Sequence, residues 1–424
     1  MSTEEQVRNQ RAVEALRNGV PNRDAVAVLG CNQPEIEDEF RRQLERTKQA
    51  IADGSKNEGM LVAGDFGAGK SHLLEYLMHL ALEQNFVCSK IVISKETPFF
   101  DPAKLYRAAA EAAIVPGKRG SAMTEIAAAL KFNNRDYAGF YQWTHQEANL
   151  NARFAATLFL FERMSNEPEL SNRIIRFWSG DKIDAGEIKK YLKACREPVT
   201  YKIDKIPAKE LALQRFKFAA RLIVAAGYAG WVLLVDEVEL IGRYSLLQRA
   251  KSYAELARWM GKLEESSITG LTSVLAITED FQTKVLEGKD DFEKAPNRLR
   301  AKGTESDLLL AGQAERGMRA IQNEFKLLKA PDKDVLTQTY DKVKSIHAKA
   351  YDWEPPPVQS IEHTTSTRLR QYIRSWITEW DLKRLDPSYN PEIEVTELNP
   401  DYTEDKNLEV ETDEGPDSSN LERG

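Results

Sequence analysis

The strongest constraint in the chain is one loop, Gly64-Asp65-Phe66-Gly67-Ala68-Gly69-Lys70-Ser71, set between a short apolar run and a helix-patterned segment. The run Met60-Leu61-Val62-Ala63 reads as a strand. After the loop, Leu73, Leu74, Leu77, Leu80 and Ala81 recur at three- and four-residue spacing and make one apolar helix face. Strand, glycine loop and helix are the context of a Walker A motif. Gly64, Gly67 and Gly69 allow tight turns that bring backbone N–H groups close to a phosphate chain. The helix N-terminus adds the positive end of its dipole. Lys70 is expected to reach the β- and γ-phosphates, and the Ser71 hydroxyl to sit on Mg²⁺. Residues 64–71, with His72 behind them, are therefore the expected nucleotide-binding set.

A second stretch completes the chemistry. Trp231-Val232-Leu233-Leu234-Val235-Asp236-Glu237 is an apolar strand that ends in two carboxylates. Asp236 is placed to hold Mg²⁺, and Glu237 to orient and deprotonate an attacking water. The expected ligand is MgATP. A GTPase reading fails because no N/T-K-x-D motif stands near a strand end. A third buried strand, Leu271–Ile277, ends at Thr278, which is expected to touch the γ-phosphate or the water. Three arginines compete for a role on the terminal phosphate: Arg298 and Arg300, reaching into a neighbouring subunit, and Arg368 from a C-terminal helix. Lys95 and Glu96 end another strand, near the ligand crevice of a parallel sheet, and compete with a plain solvated-loop reading.

The 424 residues hold no apolar run long enough to span a bilayer, and the polar N-terminus is unlike a secretory signal. Cys31, Cys88 and Cys195 are scattered without a C-x-x-C pair, and the histidines do not cluster. That points to a reducing, cytoplasmic setting and away from zinc or disulfides. The net charge of −7 is unevenly spread: residues 391–424 carry twelve acidic and two basic residues, a net of −10, which leaves +3 for the rest. The expected organisation is an N-terminal helical segment (1–55) packed on the nucleotide domain, and an ATPase core (56–100 and 228–325). A helical insertion (101–227), a C-terminal helical lid (326–387) and a disordered acidic tail (388–424) complete it. The insertion is far longer than a βαβ crossover needs. Its aromatics, from Phe132 to Phe161, suit either a core or a partner surface. Arg243, Arg249, Lys251 and Arg258 are the candidate DNA-facing surface, against a plain solvated-helix reading; no helix-turn-helix or finger signature accompanies them.

The stretches GDFGAGKS, WVLLVDE and LTSVLAIT, followed by a helical C-terminal region, resemble the AAA+ branch of P-loop ATPases. More narrowly, NQRAVEALRNGVPNRDAV at 9–26, LVAGDFGAGKSHLLEYLMHLAL at 61–82, VISKETPFFDPAKLYRAA at 92–109 and VKSIHAKAYDW at 343–353 resemble the ATP-binding BrxC/BrxD-type proteins of BREX bacteriophage-exclusion systems. The resemblance covers most of residues 9–385. It implies an α/β fold of the P-loop NTPase (AAA+/ASCE) type, with a parallel five-stranded sheet, a large helical insertion and a C-terminal helical lid. It also implies a homo-oligomeric ATPase of anti-phage defence that works on DNA or remodels complexes beside other BREX proteins, one of them often a helicase. By motif position it carries roles to Lys70, Ser71, Asp236, Glu237 and Thr278. The competing readings are an ATP-dependent switch or scaffold with little turnover and a small-molecule kinase; an Asp-Glu strand tip favours hydrolysis over both.

Overall fold

The computed structural model describes residues 3–18, 25–26, 29–146, 150–164, 166–195, 201–263, 267–358, 369–388 and 401–408. A six-stranded, mostly parallel sheet runs through it in the order β3-β2-β4-β5-β1-β6, built from β1 (Met60–Ala63), β2 (Val87–Val92), β3 (Ala113–Ile114), β4 (Trp231–Asp236), β5 (Leu271–Ile277) and β6 (Phe325–Leu327). The three central strands β1, β4 and β5 are buried along their whole length. Continuous apolar runs are what a parallel strand covered on both faces requires. Register then aligns the strand ends: Ala63 lies opposite Ile277, Val235 opposite Leu275, and Val92 opposite Asp236.

The chain opens with helix α1 (Thr3–Asn18), and alternate residues of the strands beyond it feed two cores. One sheet face carries Met60, Val62, Val232, Leu234, Val274 and Ala276. Against it lie α2 (Pro34–Asp53) and the helix after the glycine loop, α3 (Lys70–Glu83). Pro34 fixes the first turn of α2, and Gly54 closes it at φ 72° with its N–H on the Ala50 carbonyl. The other face carries Leu61, Ala63, Leu233, Val235, Leu275 and Ile277. That core continues without a break into the helical insertion, α4 (Pro102–Glu111) and α5 to α10 (Ala122–Ala129, Arg135–Thr144, Ala152–Arg163, Pro168–Trp178, Ala185–Ala194 and Ala208–Ala225). Phe216 links the two, stacked 5.6 Å from Trp231 and edge-on at 4.8 Å to Tyr106. Tyr137, Phe140, Phe154 and Phe159 are buried in this core and Phe132, Tyr141, Trp143 and Phe161 pack against it, so the aromatics are core.

Several local expectations change. Residues 113–114 form the antiparallel edge strand β3, beside β2. The five parallel strands thus gain a sixth, antiparallel neighbour. Helix α1 does not pack on the sheet. Its Ala12, Val13 and Leu16 join Ile346, Trp376 and Trp380 in a separate core with α14 (Lys333–Tyr351) and α15 (Leu369–Leu385). A bifurcated tie reinforces that core: Asp381 accepts from Arg17 at 2.6 Å and from His347 at 3.1 Å. Arg298 and Arg300 lie on a helix, α12 (Asp291–Arg300). The segment 282–287 is a π-turn. The acidic tail is docked over residues 401–408, held by its own tyrosine and carboxylates. Arg368, with its neighbours 361–367, lies outside the described residues. Among the described residues, no helix is long and apolar enough to cross a membrane.

The crossing of α11 (Leu246–Trp259) and α13 (Glu305–Asn323) depends on one glycine. A Cβ at Gly317 would lie 1.8 Å from the Tyr253 carbonyl oxygen, while one at Gly312 meets nothing within 4 Å. Alanine at either site gains about 1 kcal/mol of helix propensity. At 317 the backbone clash opposes it, and overpacking costs about 1–3 kcal/mol. Gly312→Ala is therefore expected to raise the urea midpoint and Gly317→Ala to lower it; a rise for both would show that the two helices do not cross this closely.

Candidate nucleotide site

The glycine loop opens from the carboxyl end of β1. Gly64 donates its N–H to the Ile277 carbonyl at 3.2 Å, pinning the loop's first residue to the end of β5. Gly67 and Gly69 take φ of 83° and 101°, the left-handed region that favours glycine. A Cβ on Gly64 would lie 3.1 Å from Leu328 Cβ, so the loop's root is also sterically tight. Helix α3 starts at Lys70 directly after Gly69, and its N-terminus faces the loop.

Lys70 is buried, and its ammonium donates to the carbonyls of Gly64 at 3.0 Å and Asp65 at 3.3 Å. The same ammonium lies 3.5 Å from Glu239 Oε1. Glu239 sits on the short 3₁₀ segment Val238–Arg243 that comes after β4. Sequence reasoning missed this group: its signal was the last carboxylate of Asp236-Glu237-Val238-Glu239, two positions past the expected base. Among the described residues, neither Glu239 carboxyl oxygen has a hydrogen-bond partner, though both are buried. Burial pushes its carboxyl up to about 7, against the opposing pull of Lys70.

Asp236, at the tip of β4, is buried and accepts the Glu237 N–H at 3.1 Å. Glu237 occupies the left-handed region at φ 60°. A non-glycine residue there carries backbone strain, a condition that clusters at functional sites. Burial first, and Asp236 second, raise its carboxyl pKa, in the direction a base near neutrality needs. Glu237, Lys70 and Ser71 line one cleft of about 410 Å³, a size common for small-molecule sites. The two sequence stretches, some 170 positions apart, meet at its floor.

The cleft's other wall includes the expected C-terminal helix but extends well beyond it. It is built from Leu16 of α1, the Gly30–Pro34 segment, residues 328–332 after β6, and Arg370 and Ile373 of α15. Phe66, Gly67, Ala68 and His72 join that lining. His72 Nε2 lies 2.7 Å from the Gly30 carbonyl; a carbonyl only accepts, so Nε2 carries the proton. That bond ties α3 to the segment in front of α2. Arg370 stands in the cleft near the register where Arg368 was expected.

Other expected residues lie elsewhere. Thr278 is buried beyond the tip of β5, beside the loop's root, but its hydroxyl is engaged by Tyr402. Arg298 is exposed on α12, and Arg300 pairs with Glu315 at 2.5 Å; neither lines the cleft. Lys95 and Glu96 are exposed outside it, with Glu96 accepting from Ser94. The candidate DNA surface is largely consumed by ion pairs. Arg249 is buried against Asp291, Arg243 holds Asp405, and Arg258 holds Glu255.

Magnesium fits the donor set. A hydroxyl (Ser71) and a buried carboxylate (Asp236) are hard oxygen ligands, and Glu239 has unsatisfied oxygens close by. Among the described residues no group of three or more His, Cys, Asp or Glu makes a metal cage.

Glu239 also sets a pH dependence. The native protein keeps its proton up to about pH 7 while the unfolded chain releases it near 4.5. The native state then binds more protons between those values, and this contribution to stability is lost as pH rises through 7. In urea titrations without nucleotide, Glu239→Gln should flatten the fall between pH 5 and 8 by about 3 kcal/mol at most. An unchanged slope would place the titration elsewhere.

Comparison with curated proteins and with solved structures found no match. The sequence profile of the BREX system ATP-binding protein BrxC/D matches residues 5–379, nearly nine-tenths of the chain. The match spans the glycine loop, the acidic strand tip, the helical insertion and α14, and ends within α15. The chain belongs to the BREX system ATP-binding protein BrxC/D family.

Proposed function

We propose that the chain is a P-loop ATPase of the AAA+ type that hydrolyses MgATP within a BREX defence system. The observation that carries this reading is the meeting of Lys70, Ser71 and Glu237 in one cleft, at the carboxyl ends of β1 and β4. A sheet with β1 between β5 and β6 and the acidic tip two strands from the loop supports the fold assignment.

In this reading the loop amides and the start of α3 receive the phosphate chain. Lys70, which rests on two carbonyls and Glu239, exchanges those contacts for β- and γ-phosphate oxygens. The Gly30–Pro34 segment and the start of α15 enclose the base, so that α1, α14 and α15 respond to occupancy. Magnesium, held by Ser71 and Asp236, would neutralise charge developing on the phosphates. Glu237 takes the proton of the attacking water, and Thr278 steadies the terminal phosphate.

AAA+ assemblies place the site between subunits, and an arginine supplied in trans is worth about 10³–10⁵ in rate. Arg298 and Arg300, outside their own cleft, are the candidates, so a dilute monomer should turn over slowly. Other BREX proteins are the expected partners. Any DNA contact would need a surface other than Arg243, Arg249 and Arg258, which are ion-paired. A second reading, an ATP-dependent switch with little turnover, draws on the engagement of Thr278 by Tyr402.

Glu237→Gln should lower turnover by roughly 10²–10⁴ while leaving ATP affinity within a few-fold. Steady-state hydrolysis and equilibrium nucleotide binding check this together, and an unchanged rate would remove the hydrolytic assignment. If DNA is bound through phosphates, fluorescence anisotropy at about 50 and 200 mM salt should show affinity falling steeply. Salt-independent binding, or none, would leave protein partners alone.

A further inference from the structure

Residues 401–408 belong to the acidic tail, yet they dock against Thr278, at the end of the strand β5 that holds the root of the glycine loop. Tyr402 places its ring edge-on to Phe281, with centroids 6.2 Å apart, in a recess that Gly242 leaves open: a Cβ there would lie 2.9 Å from the ring. Its hydroxyl donates to Asp280 Oδ1 at 2.8 Å and lies 2.5 Å from Thr278 Oγ1. A phenol has one proton. Burial pushes the Tyr402 pKa far above its ordinary value, so that proton stays in place and goes to the carboxylate. Thr278 must then donate its own single proton to the phenol oxygen. A hydroxyl that has given its proton away has none for a phosphate oxygen or a water.

Two further anchors make the docking specific. Glu404 accepts from Arg249 at 2.6 Å. That guanidinium is itself buried and forked onto Asp291 at 2.8 and 2.9 Å. Asp405 pairs with Arg243 at 2.8 Å, and its N–H donates to the Arg243 carbonyl at 3.0 Å. Tyrosine at one position with carboxylates two and three residues later is thus read by a hydroxyl, a carboxylate and two arginines. The arginines lie on the segment running from β4 into α11, the same segment that carries Glu237 and Glu239.

We propose that residues 401–408 form a tethered strap that withholds the Thr278 hydroxyl from nucleotide, and that turnover requires the strap to leave. The inference rests on the assignment of Thr278 to the terminal phosphate. The strap links the acidic tail to the rate: whatever draws Tyr402, Glu404 and Asp405 away, a basic surface on a partner protein above all, would switch the site on.

The test uses the full chain. Tyr402→Phe keeps the ring in its recess and removes only the oxygen. Its ATPase rate should rise roughly five-fold, about the net worth of one neutral hydrogen bond. Thr278→Ala/Tyr402→Phe should turn over no faster than Thr278→Ala alone, since the gain passes through that hydroxyl. Hydrogen exchange should be slow over 401–408 in the wild type without nucleotide and faster with a non-hydrolysable ATP analogue and Mg²⁺. A Tyr402→Phe rate at or below wild type, a gain that survives in the double variant, or equal protection with analogue bound would each overturn the strap. Binding of a fluorescent ATP analogue, measured on the same samples, separates the two ideas. No binding removes the nucleotide site itself, whereas binding with an unmoved strap removes only this proposal.

Discussion

The parallel pairing of β1 with β5, and of β5 with β4, is the constraint that creates the site. Each strand is apolar on both faces and covered on both, so a slip of one residue would swap two complete cores. The register is therefore fixed, and with it the position of the strand ends. Gly64 hydrogen-bonds the end of β5, Asp236 terminates β4, and the loops leaving both strands must emerge on the same edge of the sheet. Polar groups gather there because the apolar runs end there. Lys70 and Glu239 are the consequence: a buried cation and a buried carboxylate brought within 3.5 Å by the strands behind them.

That arrangement is poorly satisfied by the chain's own groups. Among the described residues Glu239 has no hydrogen-bond donor on either oxygen, and Glu237 carries a strained backbone. Such groups are costly to bury unless something binds to them. Under the proposed function, a bound metal ion would offset that cost. The cleft's outer wall has a similar logic. Helices α1, α14 and α15 form a core of their own, and they border the cleft through Leu16, Thr339, Arg370 and Ile373.

Sequence patterns carried the centre of the fold and lost its margins. The glycine loop and the strands Trp231–Asp236 and Leu271–Ile277 were legible because buried parallel strands need uninterrupted apolar runs. Strand β6 is three residues at the sheet edge with Lys326 and Leu327 exposed, and β3 is two residues; neither leaves a periodic signal. The attachment of α1 to α14 and α15 joins residues more than 300 positions apart. Tyr402 and Thr278 are 124 positions apart, and nothing in an acidic, turn-rich tail announces such a contact. Arg249 illustrates the opposite error: on a helix with several basic residues it reads as surface, but Asp291 draws it inside. Local propensity describes elements, and long-range charge pairing decides which of their faces stays free.

If the glycine loop and the β4 tip close on one metal-bound triphosphate, the most direct measurement is ATP affinity, with Mg²⁺ and with EDTA, in the wild type and in Asp236→Asn. Asp236, with Ser71, is expected to act on binding only through the metal. The wild type should bind more tightly with Mg²⁺ and Asp236→Asn should lose that gain, both keeping similar affinity in EDTA. If the variant retains the full magnesium gain, the acidic strand tip does not hold the ion, and the two halves of the site do not act on one ligand.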